Sequence, residues 1–190
     1  MSSRVVIERI ATEEALRKCA TAEDLAFVEQ FGADRRRCEV LAWRALVRRE
    51  MGDCQISHDE YGAPKVDVAG KYISISHSRD FVALVVSDNP CAIDVEDVER
   101  DFRKVAPRYL TPAEQTIAED NELYAEIWCA KEALYKYHSK GNLDFVADIS
   151  IVKYIPERGI LLAAILNGEP IEVAISRQES LAVAVIAENL

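Results

Sequence analysis

Apolar and polar positions alternate strictly from Lys71 to Ser76, and an unbroken apolar run follows from Phe81 to Val86. A period of two marks a strand with two unlike faces, and a short continuous run marks a strand buried on both. Val5 to Ile10 reads as an earlier strand. Thr12-x-x-Ala15 and Thr21-x-x-Asp24 read as helix starts, where a hydroxyl takes up a free N–H of the first turn. Asp34 to about Glu50 is a long helix stopped at Met51-Gly52. Tyr61-Gly-Ala-Pro64 and Asn89-Pro90 are turns, the second leading into a strand from Cys91 to Val95.

The second half begins with helical spacing over Phe102–Tyr109 and a capping box, Thr111-Pro-Ala-Glu114, with proline at the first helical position. Asn121 to about Ser139 is the longest helix, closed by Gly141. Leu123, Ile127, Ala130, Leu134 and Tyr137 form its core stripe. Four strand-like runs follow at Val146–Ile155, Ile160–Leu166, Ile171–Ser176 and Leu181–Ala187, separated by Gly-, Pro- and Asn-bearing turns, which spells an antiparallel meander. The class expected is α+β, in two lobes of similar content: residues 1–100 and 101–190.

Composition narrows the function. The chain has 190 residues, 49% apolar and 29% charged, with only 7 Gly and 6 Pro, an ordinary globular mix. No apolar run is long enough to cross a bilayer, and charges interrupt the apolar stretch at the start, so neither a membrane partner nor a secretory signal is expected. Five widely spaced cysteines without a Cys-x-x-Cys pair point to reduced thiols and a cytoplasmic protein. A net charge of −10 argues against nucleic acid as a partner. The dense basic cluster is Arg35, Arg36, Arg37, Arg44, Arg48 and Arg49, which a compact polyanion could use.

Four groups of residues could carry chemistry. On a strand, Asp94 and Glu96 share a face, a pair that can be a solvated strand end or a site for a hard cation such as Mg²⁺; Asp97-Val-Glu99 repeats the pattern. Trp128, Glu132 and Lys136 recur every four residues opposite the core stripe, as a covered cleft wall or as a plain surface ion pair. Ser76-His77-Ser78 falls at the expected tip between two strands and offers a phosphate ligand or a satisfied turn histidine. Arg37, Arg44 and Arg48 lie on one side of their helix, as a phosphate cradle or a solvated face.

In order along the chain, Glu60-Tyr-Gly-Ala-Pro64, Ile73-Ser-Ile-Ser-His-Ser78, Ala92-Ile-Asp-Val-Glu96, Tyr109-Leu-Thr-Pro-Ala-Glu114 and Trp128-Cys-Ala-Lys-Glu-Ala-Leu-Tyr-Lys136 resemble the motif series of the 4′-phosphopantetheinyl transferase superfamily. The length resembles the family's single-chain, two-lobed type, which implies pseudo-twofold lobes with the site between them and a monomer. The resemblance implies transfer of phosphopantetheine from coenzyme A to a serine hydroxyl of an acyl or peptidyl carrier protein, as in fatty acid biosynthesis, leaving adenosine 3′,5′-bisphosphate. It implies Mg²⁺ on Asp94, Glu96 and Glu132. It implies coenzyme A contacts from Arg36, Gly62, Pro64, Ser76, His77 and Lys136. Glu132 and Lys136 become the catalytic pair, with Glu132 the base for the carrier serine and Glu114 the runner-up.

Ala63 and Ala92 depart from the family's lysine and glycine at those places, which touches coenzyme A contacts. A non-catalytic coenzyme A or carrier-binding module and a Mg²⁺-dependent nucleotide hydrolase are the alternatives. The apolar segment Phe102, Val105, Tyr109 and Leu110 is either a surface for carrier docking or a face packed between the lobes.

Overall fold

The computed structural model describes residues 3–188. Its first half runs β1 (Arg4–Arg9), α1 (Glu13–Cys19), α2 (Ala22–Val28), α3 (Asp34–Met51), a ribbon of β2 (Ile56–His58) and β3 (Pro64–Val66), then β4 (Tyr72–Ser78) and β5 (Phe81–Ser87). Thr12 caps α1 through the Ala15 N–H, and Thr21 and Asp24 cap α2 reciprocally. β1, β5 and β4 form an antiparallel sheet in that order. Two expectations change here. The turn at residues 61–64 joins two short strands, β2 and β3. The strand also continues past Ser76, so Ser76-His77-Ser78 lies on β4 and the tip is Arg79-Asp80.

The second half holds β6 (Ala92–Asp97), α4 (Phe102–Val105), α5 (Asn121–His138), β7 (Ile149–Ile155), β8 (Ile160–Ile165), β9 (Ile171–Gln178) and β10 (Leu181–Ile186). The meander β7 to β10 is present, and β6 joins it beside β10 to make a sheet ordered β6-β10-β9-β8-β7. The change of sheet therefore falls between Ser87 and Ala92, about ten residues before the boundary expected at residue 100, and the sheets are unequal, with three and five strands. Thr111 and Glu114 do form a reciprocal cap, but only a single 3₁₀ turn follows it. Residues 146–148 are not strand; the Asp144 carboxylate holds the Val146 and Ala147 N–H groups in a turn.

Burial stacks these elements in four layers. Val82 and Leu84 of β5 pack with Val40, Leu41, Leu46 and Val47 of α3. The other face of β5 (Phe81, Ala83, Val85) packs on Ile93 and Val95 of β6 and Val183 and Val185 of β10. Ala92, Ala182 and Ala184 turn the opposite way, to Ile127, Ala130 and Leu134 of α5. β5 lies between helix and sheet, which is why its sequence shows no alternation. The edge strands β4 and β6 meet where the two sheets adjoin, and the candidate site lies along that seam.

Candidate active site

β4 and β6 belong to different sheets, and serine side chains bridge them. The Ile93, Val95 and Asp97 N–H groups of β6 donate to the Ser74, Ser76 and Ser78 hydroxyls at 3.2, 3.3 and 2.9 Å. Ser76 in turn donates to Asp94 Oδ1 (2.8 Å) and Ser78 to Glu96 Oε2 (3.3 Å). Asp94 Oδ1 also receives the Lys136 ammonium at 2.7 Å. Asp94 Oδ2 is buried and has no hydrogen-bond partner. The buried Cys129 is a neighbour of Asp94, but it directs its weak S–H to the Ala182 carbonyl at 3.5 Å. Burial first, then the charges of Asp94 and Glu96, keep that thiol protonated.

Glu96 Oε1 accepts from Trp128 Nε1 at 3.2 Å and from Arg100 at 3.3 Å. Burial and the charge of Asp94 push the Glu96 carboxyl above its ordinary range, against Arg100, Trp128 and Ser78. Glu132 makes no hydrogen bond or ion pair among the described residues. Its carboxyl is pushed up to about 7, by burial first and then by Asp94 and Glu96, with Lys136 and Arg100 opposing. Asp94, Glu96 and Glu132 are thus one electrostatic cluster short of positive charge. Among the described residues no three acidic, histidine or cysteine side chains are gathered closely enough to hold a metal ion. The all-oxygen donor set and the unpartnered Asp94 Oδ2 nevertheless suit a hard divalent cation.

Lys136 and Glu132 face different openings. Lys136 lines a cleft of about 610 Å³ together with Gly62, Pro64, Lys65, Lys71 and Tyr72. Glu132 lines a second pocket of about 330 Å³ with Arg100, Val105, Arg108, Trp128 and Phe145. The turn that brings Gly62 and Pro64 to the cleft is held by the Asp59 carboxylate, which accepts the Tyr61 and Ala63 N–H groups. Gly62 has φ +84°, a conformation that a side chain disfavours. Lys136 spends its ammonium on Ile75 O (3.2 Å), Ile93 O (2.9 Å) and Asp94, the full donor count of a lysine. It therefore staples α5 to both β4 and β6.

Arg36, Ser76 and His77 do not line the large cleft. His77 points away from β6 towards α3, where Arg36 lies 2.7 Å from its Nε2 and Glu39 3.6 Å from its Nδ1. Arginine can only donate, so Nε2 accepts and the ring proton sits on Nδ1. Burial lowers the pKa of His77; the charges of Lys136 and Asp94 also reach it, which puts it near the acid cluster.

Burial and pairing weigh against three of the readings left open by the sequence. Arg44 and Arg48 are no phosphate cradle, because both bind Asp24 and Glu23 of α2. Arg37 is held by Asp34 and the Phe31 and Gly32 carbonyls. Glu114, the alternative base, is buried and fully occupied by the Lys131 ammonium (3.1 Å) and the Thr111 and Ile151 N–H groups, which outweigh burial and hold its carboxyl low. Phe102, Tyr109 and Leu110 are at most 2% exposed, so of the expected docking residues only Val105 reaches a pocket. Tyr109, Phe102 and Phe145 instead ring Trp128, which explains a tryptophan on that face of α5.

Sequence reasoning missed Lys71, Tyr72 and Arg100. Lys71 and Tyr72 were legible as the start of the alternating strand; for Arg100 the only local signal was Glu96 four residues before it, since Trp128 comes to it only through the fold.

Known proteins place this arrangement. A family model described as the 4′-phosphopantetheinyl transferase superfamily matches residues 90–186, half of the chain, from just before β6 to the end of β10. The chain is 32% identical over 89 residues to the 4′-phosphopantetheinyl transferase gsp of Aneurinibacillus migulanus, covering 44% of this chain and 37% of that protein. It is 27% identical over 96 residues to the 4′-phosphopantetheinyl transferase ffp of Bacillus subtilis, covering 47% and 43%. The aligned stretch thus spans about two fifths of each of these relatives. The matched region carries the seam strand, the acid cluster and the Lys136 staple, and the chain belongs to the 4′-phosphopantetheinyl transferase superfamily.

Proposed function

We propose that the protein moves the phosphopantetheine arm of coenzyme A onto a serine hydroxyl of an apo acyl or peptidyl carrier protein, releasing adenosine 3′,5′-bisphosphate. One observation carries this reading: Lys136, bonded to Asp94, reaches one opening, and Glu132, in the field of Asp94 and Glu96, reaches another. In-line transfer at phosphorus needs donor and acceptor to arrive from different sides. The larger cleft suits coenzyme A, and the smaller pocket suits the approach of a protein hydroxyl.

Asp94, Glu96 and Glu132 would hold Mg²⁺, which supplies charge neutralisation on the pyrophosphate. Gly62 and Pro64 form the wall on which the nucleotide end rests, with Lys65 and Lys71 in the same cleft offsetting the missing lysine at Ala63. Arg36 and His77 lie outside the cleft lining and are assigned to a coenzyme A phosphate that reaches past it, which would replace their contact with each other. Lys136 keeps Asp94 oriented and places its charge on the wall of the cleft that a phosphate would enter. Glu132 takes the proton of the carrier serine, directly or through water; no other side chain in that pocket is a base without an ion-pair or hydrogen-bond partner among the described residues. Arg100 and Arg108 flank the pocket and suit an acidic carrier. Five free thiols fit a cytoplasmic setting, and a monomer is part of the same reading.

Incubation with coenzyme A, Mg²⁺ and candidate apo-carriers, read by carrier mass, tests the proposal. Transfer adds the phosphopantetheine arm to the carrier. Free phosphopantetheine with unmodified carrier would mean a hydrolase, and intact coenzyme A a binding module.

A further inference from the structure

Ser74, Ser76 and Ser78 are alike in one respect, since each accepts a β6 N–H across a seam that has no backbone ladder. A hydroxyl that accepts still has one proton to give. Ser76 and Ser78 give theirs to Asp94 Oδ1 and Glu96 Oε2; Ser74 gives to no carboxylate. All three are at most 7% exposed. Asp94 Oδ1 therefore carries two donors, Ser76 and Lys136, while Oδ2 carries none.

We infer that Ser76 and Ser78 are positioning residues, which lock the two β6 carboxylates so that Asp94 offers the single oxygen Oδ2 to a divalent cation. The inference rests on the functional reading above and replaces the phosphate contact expected of Ser76. The hydroxyl cannot serve both, because its proton is committed to Asp94 and its oxygen to the Val95 N–H. Ser74 is the built-in control, since its loss costs the same kind of strand contact without touching a carboxylate.

Mn²⁺ titrated by calorimetry into the full chain without coenzyme A, and coenzyme A titrated in chelator, separate the roles. Thermal melting verifies that each variant is folded. Ser76→Ala is expected to weaken Mn²⁺ binding about 10- to 100-fold, the usual loss for an outer partner of a ligand, with coenzyme A affinity in chelator unchanged. Ser78→Ala, with its longer contact, falls at the lower end, and Ser74→Ala stays within about twofold although it melts like Ser76→Ala. Should Ser76→Ala not fold, Ser78→Ala against Ser74→Ala decides the matter. Equal loss in all three variants, or Ser76→Ala losing coenzyme A affinity while keeping Mn²⁺, overturns the inference. A wild type that transfers yet binds no Mn²⁺ alone also overturns it, because the acid pair is then not prearranged. A wild type that neither binds Mn²⁺ nor modifies any carrier overturns the functional reading instead.

Discussion

Asp24 on α2 and Asp94 on β6 are both buried aspartates beside basic side chains, at 1% and 6% exposure, yet they are opposites. Burial would raise the carboxyl of Asp24, but the Arg48, Arg44 and Thr21 hydrogen bonds outweigh it and hold it well below the ordinary range. Both its oxygens are used. Asp94 has one saturated oxygen and one bare one, next to a Glu132 carboxyl pushed up to about 7. A closed set of charges ties helices together and has nothing left for a ligand. A set left short of positive charge has a place for one. The arginine cluster and the acid cluster differ in this way, and it separates scaffold from site better than residue type does.

The sharpest break in the comparison is at the two Asp-Val-Glu copies. Asp94→Ala should lower carrier modification by more than about 100-fold, beyond the range of outer-partner changes. Asp97→Ala should stay within a few-fold, since its carboxylate pairs with Arg79 at the surface. Equal loss in both, read by carrier mass at fixed time, would erase the distinction.

On the scaffold side, Asp24→Asn takes from the buried Arg44 its buried charge partner and leaves it only Glu23, which should cost about 3 kcal/mol in denaturant unfolding. The pH course has a fixed sign. The folded carboxyl lies below its unfolded value, so its contribution is complete above about pH 4 and fades as pH falls towards the folded value. Wild type and variant should therefore differ by a constant amount from pH 7 to 5 and converge in stronger acid. A difference that grows on acidification would contradict the pairing.

The smallest effect belongs to the pocket rim. With Phe102, Tyr109 and Leu110 buried, the proposed acidic carrier would meet Arg100 and Arg108 and not an apolar face. Arg108→Ala should raise the apparent carrier KM about 2- to 5-fold at low salt, with the gap closing at high salt. A salt-independent KM would return the contact to apolar residues such as Val105.

Much of the fold was legible because it is local. The Thr12 and Thr21 caps, the Gly52 stop, the stripe on α5 and the four-strand meander each follow from residues within a turn or two of one another. Where local signals misled, a neighbouring element had changed the surroundings. The 102–110 stripe met Trp128 and became core, and the Thr111 cap opened only one turn because Glu114 was drawn to Lys131 and Ile151.

By itself the sequence determined the α+β class, the order of the long helices and strands, and which short segments hold acids, a histidine and a lysine. Tertiary structure alone decided which of those charges remain open. Asp24 finds its arginines 20 and 24 residues away, Asp94 finds Lys136 at 42, and Ser76 reaches Asp94 at 18. Periodicity says which face a side chain leaves from. Whether its charge is then cancelled depends on what the folded chain sets opposite it, and in a buried, weakly screened seam that partner decides between a strut and a binding site.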